Sequence, residues 1–266
     1  MSEVRRPAGH APRKAYGQHF LVDPNILDVI GRLARLGPDD VVLEIGPGLG
    51  VLTTHLADRV ALVHAVEIDR ALEEPLRSAL GGRANVHLVL GDALRLDLAA
   101  LDPAPTKLVA NLPYNVATPI VVESLEGLPS IASWCVMVQR EVVDRWLAEP
   151  GGRLYGAPSV LLRLTAEVTF RRAVGREVFT PRPRVDSSLV ALRRVAAGPA
   201  PAVRSLVRAA FAARRKTLVN ALALAGADRA RVAEALAALG HPPAVRPEAL
   251  PPEAFPALAR ELAWPG

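Results

Sequence analysis

The sequence contains a single cysteine, few aromatic residues and no long apolar run. With Cys135 alone, neither an intrachain disulfide nor a multi-cysteine zinc site can form, and a buried core thiol is expected. No stretch approaches the ~18 uninterrupted apolar residues of a membrane span. The basic start of the chain is not followed by an apolar core, so it does not have the form of a secretory signal. We therefore expect a cytoplasmic protein with no membrane partner and no bound metal.

Lysine is also scarce, since 29 of the 32 basic residues are arginine, as a G+C-rich coding bias would produce. The net charge of +5 still favours an anionic partner. A chain of 266 residues exceeds the usual single core, which predicts two domains. The segment Gly198-Pro-Ala-Pro201 indicates the boundary, with one domain over residues 1–198 and a smaller helical domain over 199–266.

The stretch 41–50 predicts a strand, a glycine loop and the start of a helix. Glycine has no Cβ, so a ligand can lie against the backbone where the strand ends. Val51 occupies the place of the last glycine in the dinucleotide fingerprint, which disfavours a pyrophosphate site. The spacing Glu44-x-Gly46-x-Gly48-x-Gly50 instead resembles the first motif of the S-adenosylmethionine-dependent methyltransferases. Ordinary turn chemistry is the alternative for these glycines.

Two acidic residues follow the next two predicted strands. Glu67 ends an apolar run 21 residues after Gly46, a distance at which an acidic residue accepts hydrogen bonds from ribose hydroxyls in nucleoside-binding α/β folds. Asp92 follows the strand at 86–90 and resembles the methyltransferase residue that accepts from the adenine amino group. A solvated carboxylate at Glu67 and a turn or cap at Asp92 are the alternatives.

The pentapeptide Asn111-Leu-Pro-Tyr-Asn115 follows a fourth strand and matches the motif of methyltransferases that act on exocyclic amino groups. Asn111 and the Leu112 carbonyl can accept both protons of an adenine N6 and turn its lone pair toward a methyl group. Pro113 stiffens the loop by fixing its φ angle. Tyr114 offers an aromatic face on which the adenine can stack, and stacking depends on the ring more than on the hydroxyl. Turn chemistry is again the alternative.

Later segments add two candidate RNA contacts. Phe179 begins the loop 179–188 and is either a second stacking surface or a buried staple. Arg214, Arg215 and Lys216 belong to a basic run without acidic residues, which favours contact with an RNA backbone over a solvated face. Further strands are predicted at 132–139, 164–170 and 188–193, and helices at 25–36, 203–224, 228–239 and 253–262.

Six segments together resemble the ribosomal RNA adenine N6-dimethyltransferase family and cover nearly the whole chain. They are Gly17-Gln-His-Phe-Leu21, Glu44-Ile-Gly-Pro-Gly48, Asn111-Leu-Pro-Tyr-Asn115, Gln139-Arg-Glu-Val-Val143, the stretch 179–187 and Phe211-Ala-Ala-Arg-Arg-Lys-Thr-Leu218.

The resemblance implies a doubly wound, Rossmann-like α/β sheet with a small helical C-terminal domain, and S-adenosylmethionine as cofactor. It implies dimethylation of two adjacent adenines near the 3′ end of small-subunit ribosomal RNA, free or in an immature subunit, by a monomer. The implied cofactor contacts are His19, Leu21, Gly46, Gly48, Glu67, Asp92 and Asn111.

Three other functions stay open at this point. The first is the related methyltransferase of large-subunit RNA that confers macrolide resistance, although Leu112 and Asp186 favour the small-subunit branch. The second is an RNA-binding relative that has lost the activity, against which the intact set of site residues speaks. A nicotinamide oxidoreductase is the third and is disfavoured because the dinucleotide loop lacks its last glycine.

Overall fold

The computed structural model describes residues 18–266, so the Gly17 end of the first predicted motif lies outside the described residues. The strands are β1 Phe20–Leu21, β2 Val41–Ile45, β3 Leu62–Glu67, β4 Val86–Leu90, β5 Lys107–Asn111, β6 Ser133–Gln139, β7 Ala166–Val174, β8 Phe179–Thr180 and β9 Ser187–Arg194. The helices are α1 Pro24–Leu33, α2 Val51–Ala57, α3 Glu73–Leu80, α4 Ala117–Gly127, α5 Arg140–Trp146, α6 Ala157–Thr165, α7 Pro201–Ala212, α8 Leu218–Leu224, α9 Arg229–Ala238 and α10 Ala254–Glu261.

Seven strands form one sheet in the order β4-β3-β2-β5-β6-β9-β7. The neighbours from β4 to β6 run parallel, whereas β9 is antiparallel to β6. The chain builds outward from β2 to β4, then returns to place β5 on the other side of β2. This reversal is the topological switch point at which open α/β sheets bind ligands. The predicted doubly wound fold is confirmed.

The chain divides into two compact units that differ from the predicted division. One unit holds the described residues up to Val143 together with Val168–Arg194, and the other holds Asp144–Glu167 together with Val195–Gly266. The predicted boundary after residue 198 lies close to the last of the three changes of unit, between Arg194 and Val195. Sequence reasoning missed the segment 144–167, because the chain changes unit inside α5 and inside β7, where no linker marks a boundary.

The first unit has its core between the sheet and the two helices that flank the glycine loop. The Asp23 side chain caps α1 by accepting from Asn25 N, and Pro24 takes the first helical position, as the sequence predicts. Helix α1 then buries Ile26 and Ile30 against central strand residues such as Val63. This packing fixes the carboxyl ends of the strands, from which the loops of the site extend.

The second unit is helical and contains an aromatic cluster. Phe211 lies between Tyr155 and Phe255, with ring centroids 6.0 and 5.9 Å apart. The Tyr155 hydroxyl donates to the Leu250 carbonyl at 2.9 Å, which satisfies its buried polar end. Within residues 18–266, no helix is long and apolar enough to cross a membrane.

Two predicted elements were wrong in extent. The helix predicted at 203–224 is two helices, α7 and α8, because Thr217 adopts an extended conformation and caps α8 by accepting from Asn220 N. The strand predicted at 164–170 begins later, at Ala166, and continues to Val174. The last turn of α6 occupies the residues at which this strand was expected to begin. There the Thr165 hydroxyl donates a hydrogen bond to the Leu161 carbonyl, as in a helix.

Candidate active site

The carboxyl ends of four parallel strands, β2 to β5, open into one cavity. Residues that follow each strand contribute to its wall, as the topology of a switch point requires. All seven residues expected to contact the cofactor line this cavity, namely His19, Leu21, Gly46, Gly48, Glu67, Asp92 and Asn111. The structure therefore brings together residues that are as far as 92 positions apart in the sequence.

The loop after β2 carries glycine at positions 46 and 48 because neighbouring residues leave no room there for a side chain. Gly46 has a φ of +74°, and a Cβ there would lie 3.3 Å from the ring of Pro113. Gly48 has a φ of +60°, and a Cβ there would lie 2.9 Å from Phe20 Cδ1. Both backbone conformations favour glycine. The loop thus packs directly on the Asn-Leu-Pro-Tyr loop and on the segment that begins at Gln18.

Glu67 is buried and joins two loops of the site. Its Oε2 accepts from Gly48 N at 3.1 Å, and its Oε1 accepts from Asp69 N at 2.8 Å. Burial raises the pKa of Glu67, and the two backbone hydrogen bonds oppose that rise. The carboxyl group is therefore held in place by the backbone of both loops, a role that the sequence did not reveal.

Glu44 is a second carboxyl group in the cavity wall, and sequence reasoning did not count it among the site residues. Its side chain is 1% exposed, and its Oε2 finds no hydrogen-bond partner within the described part of the chain. Burial, with a smaller contribution from the neighbouring Glu67, raises the pKa of Glu44 to about 8. Glu44 is therefore mostly protonated at neutral pH. Its place before the first glycine of the loop was the available signal.

Asn111 has a fixed amide orientation. Its Nδ2 donates to the His19 carbonyl at 2.9 Å, so Oδ1 is the amide atom that remains as an acceptor. The next residue, Leu112, is buried, and its N–H donates to the Met137 carbonyl at 3.0 Å, which fixes the following peptide. Pro113 then closes against Gly46. The loop is anchored on three sides.

Tyr114 lies beside this loop and is half-buried rather than part of the cavity wall. Its hydroxyl is 2.7 Å from Ser187 Oγ, and its ring centroid is 5.3 Å from that of His19 at an interplanar angle of 33°. Nδ1 of His19 is in turn 2.8 Å from the Pro181 carbonyl. Burial raises the pKa of Tyr114, so the phenol stays protonated at physiological pH.

Asp92 lines the cavity and also shapes the turn that follows β4. Its Oδ1 accepts from Leu94 N at 3.0 Å, which is the turn role weighed as the alternative. The other oxygen lies 3.5 Å from Arg95 Nε. Two large apolar side chains of the same wall, Ile68 and Leu94, are 43% and 41% exposed. Sequence reasoning missed both, because a single exposed apolar residue carries no pattern.

The expectation that Phe179 offers a second stacking surface needs correction. Its side chain is 1% exposed and belongs to the core cluster, and β8 pairs it with Leu21 of β1. A ring in this position is not available to a base. The competing reading, a buried staple, describes what Phe179 does: it holds the segment 18–21 to the loop that follows β7.

The predicted basic contacts lie in the turn between α7 and α8, within the second unit. Arg215 and Lys216 are exposed, whereas Arg214 is partly buried and donates to the Gly152 carbonyl at 3.2 Å. Within residues 18–266, Arg214 thus has a structural side-chain contact that Arg215 and Lys216 do not have. Among residues 18–266, no cluster of three or more histidine, cysteine or acidic side chains could hold a metal ion.

Comparison with known proteins identifies the family. A family model for ribosomal RNA adenine dimethylase matches residues 9–238. The chain belongs to this family. It is 49% identical to the ribosomal RNA small subunit methyltransferase A of Rubrobacter xylanophilus, with 94% of this chain and 95% of that protein covered. The corresponding protein of Moorella thermoacetica is 46% identical, with 97% and 94% covered.

Solved structures of two relatives share the fold. A dimethyladenosine transferase from Plasmodium falciparum is 26% identical, with a TM-score of 0.74 and 90% of this chain and 96% of that chain covered. The 23S rRNA methyltransferase ErmE is 32% identical, with a TM-score of 0.65 and 92% and 99% covered. The family, the fold and the rRNA methyltransferase activity expected from the sequence are thus confirmed.

Membership of a methyltransferase family implies S-adenosylmethionine as methyl donor, and the cavity fits that molecule. A bare glycine backbone leaves room for its amino-acid end, and buried carboxyl groups suit its ribose hydroxyls and positive charges. The Oε2 of Glu44, which has no hydrogen-bond partner among the described residues, is a buried polar atom that a polar group of the ligand would satisfy. Apolar Ile68 and Leu94 suit the flat face of an adenine.

Proposed function

We propose that this protein transfers methyl groups from S-adenosylmethionine to N6 of two adjacent adenines near the 3′ end of small-subunit ribosomal RNA. The observation that carries the proposal is the orientation of Asn111. Its amide nitrogen donates to the His19 carbonyl, so its oxygen is the amide atom left as an acceptor in this residue of the cavity wall. This is what an exocyclic amino group requires.

The chemistry of the amino group explains why acceptors are needed and a strong base is not. The N6 lone pair of adenine is delocalised into the ring, which makes the nitrogen a weak nucleophile. Two acceptors, Asn111 Oδ1 and the Leu112 carbonyl, would bind both N6 protons and turn the lone pair out of conjugation with the ring and toward the methyl group. Tyr114 cannot act as a base, since its pKa is raised by burial.

Bound S-adenosylmethionine supplies a methyl group on a sulfonium, which needs no further activation. In this proposal Glu67 accepts from the ribose hydroxyls, and Asp92 accepts from the adenine amino group of the cofactor. His19 and Leu21 cover the cavity and exclude water from it. The backbone of Gly46 and Gly48 accommodates the amino-acid end.

The RNA substrate would be held at two places. Tyr114 would stack on the adenine that leaves the RNA stack, a contact worth ~1 to 3 kcal/mol in single-strand binders. Arg214, Arg215 and Lys216 would contact phosphates. The protein would act as a monomer on the small-subunit RNA or on an immature subunit.

The choice between small- and large-subunit RNA follows from degrees of similarity. Identity is 49% to a small-subunit methyltransferase but 32% to the 23S rRNA methyltransferase ErmE. Purified protein with labelled S-adenosylmethionine should be offered undermethylated small subunits, naked small-subunit RNA and large-subunit RNA. We expect label in the small-subunit substrates only. Label in large-subunit RNA would favour the macrolide-resistance activity, and cofactor binding without any transfer would indicate an inactive relative.

A further inference from the structure

Ser187 has a contact to the site that no motif assigned to it. Its side chain is fully buried, and its Oγ lies 2.7 Å from the hydroxyl of Tyr114. Ser187 begins β9 and stands opposite Gln139 of β6 in the sheet, so its backbone is fixed by strand pairing. A hydroxyl on so rigid a support can hold its partner in one orientation.

The same loop controls the other neighbour of the Tyr114 ring. His19 lies against that ring, and its Nδ1 is 2.8 Å from the carbonyl of Pro181. The stretch 181–187 therefore holds Tyr114 at its hydroxyl and His19 at its imidazole. Because the His19 carbonyl also accepts from Asn111, the ring and the amide acceptor are held in one hydrogen-bonded network.

We propose that Ser187 is a positioning residue, which fixes the Tyr114 ring so that the substrate adenine meets a preset aromatic face. The proposal rests on the proposed function, since it assumes that Tyr114 stacks on that adenine. A ring anchored at its hydroxyl cannot swing about the Cα–Cβ bond away from its place, whereas an unanchored ring can. Near-attack geometry is then reached in a smaller fraction of bound complexes.

The anchor changes one expectation that the sequence alone supports. Stacking requires the ring of Tyr114 and not its hydroxyl, which would make Tyr114→Phe nearly silent. In the structure that substitution leaves the buried Oγ of Ser187 without its partner and frees the ring to swing about the Cα–Cβ bond. We therefore expect Tyr114→Phe and Ser187→Ala to have similar effects, both milder than that of Tyr114→Ala.

Single-turnover methyl transfer at saturating cofactor and RNA is the first test. Loss of one hydrogen bond of ordinary strength corresponds to a rate that falls roughly fivefold in Ser187→Ala. The Kd for S-adenosylmethionine should stay within about twofold, because the cavity wall does not include Ser187. The double variant Tyr114→Phe with Ser187→Ala should be no slower than either single variant.

Ser188 provides a matched control. It is the adjacent residue, is 1% exposed, and its Oγ has no hydrogen-bond partner among the described residues. Ser188→Ala removes the same atom from the same strand without touching Tyr114, so its rate should equal that of the original protein. A Ser187→Ala protein that melts earlier but keeps its full rate would overturn the proposal, as would additive effects in the double variant.

A second measurement does not depend on methyl transfer. An RNA with 2-aminopurine in place of the target adenine reports stacking by its fluorescence when it binds with cofactor present. The change should be smaller in Ser187→Ala and Tyr114→Phe, absent in Tyr114→Ala and undiminished in Ser188→Ala. An undiminished change in Ser187→Ala would overturn the positioning role. No methyl transfer by the original protein, with these fluorescence differences intact, would reject the proposed function alone.

Discussion

Glu44 combines a buried carboxyl group with a place on the cavity wall, and this makes its protonation a measurable property. Burial raises the pKa of Glu44 from 4.5 to about 8 in the folded protein. Between these two values the unfolded chain has lost the proton while the folded chain keeps it. Stability is therefore highest below the unfolded pKa and falls as the pH rises toward the folded pKa.

The prediction is that Glu44→Gln removes this dependence on pH. Without cofactor, the free energy of unfolding of the original protein relative to the Gln variant should fall by up to ~1.4 kcal/mol per pH unit between pH 5 and 8. Denaturant unfolding at pH 5, 6, 7 and 8 measures the difference. Parallel curves for the two proteins would show that Glu44 is ionised in the folded state.

Single residues of the site differ in how far the sequence could predict them. Glu67, Asp92 and Asn111 stand at strand ends in a recognisable order, so their convergence on one cavity followed from the pattern. Glu44 and Ser187 were missed because their roles depend on burial or on a partner distant in sequence, and Ile68 and Leu94 because a single exposed apolar residue carries no pattern. The contact of Ser187 with Tyr114 joins residues 73 positions apart, and no spacing rule reports such a pair.

At the scale of elements, the short pairing of β1 with β8 keeps the segment 18–21 over the cavity. It matches Phe20 with Thr180 and Leu21 with Phe179, and Val22 N donates to the Val178 carbonyl at 2.9 Å. The Phe179 ring is buried beneath this pair. Phe179 therefore stabilises, from inside the core, the segment 18–21 that lies over the cavity.

Phe179→Ala should accordingly act on stability. Removing a buried aromatic ring lowers the free energy of unfolding by about 3 to 5 kcal/mol, whereas Phe179→Leu retains most of the volume and should lose much less. Chemical denaturation of both variants checks this. An unchanged stability together with lost RNA methylation would return Phe179 to the stacking role.

The turn between α7 and α8 is the element on which RNA affinity should depend. Neutralising Arg215 and Lys216, which are exposed, should reduce the slope of log affinity against log salt by roughly two units, because each phosphate contact releases counterions. Arg214 is left intact, since its bond to the Gly152 carbonyl would mix a structural effect into the result.

A matched control for this turn removes the same charge elsewhere in the same unit. Arg231 and Arg260 are exposed on α9 and α10, so the double change of both to Gln also lowers the net charge by two. We expect little effect on the salt slope from this pair and none on cofactor affinity from either pair. Equal reductions from both pairs would mean that total charge matters and the turn does not.

The division into elements was predictable wherever a periodic run was long. Strands β2 to β5, with their glycine or polar ends, follow from apolar runs and turn residues. The break between α7 and α8 does not, because Thr217 lies within a run of good helix formers, and its capping role appears only with its contact to Asn220 N. The sequence also does not show that the second unit is built from two separate segments of the chain, because that depends on which parts of the chain pack together.

In the molecule as a whole, a switch-point cavity, an oriented amide and a basic turn together support one activity. The first two lie in one unit, and the turn lies in the other. Because the strand order places the end of β2 beside the end of β5, the sheet itself brings the glycine loop and Asn111 together. The activity follows from what these parts bind.

The most direct measurement is to map N6,N6-dimethyladenosine in small-subunit ribosomal RNA. The cells have their own copy of this gene deleted and are complemented with either the unchanged gene or the Asn111→Ala gene. The account predicts two adjacent dimethylated adenines near the 3′ end with the unchanged gene. It predicts loss of both with Asn111→Ala, because removing one preorganised contact costs on the order of 10² or more in rate. Full dimethylation with Asn111→Ala, or modification of large-subunit RNA instead, would contradict it.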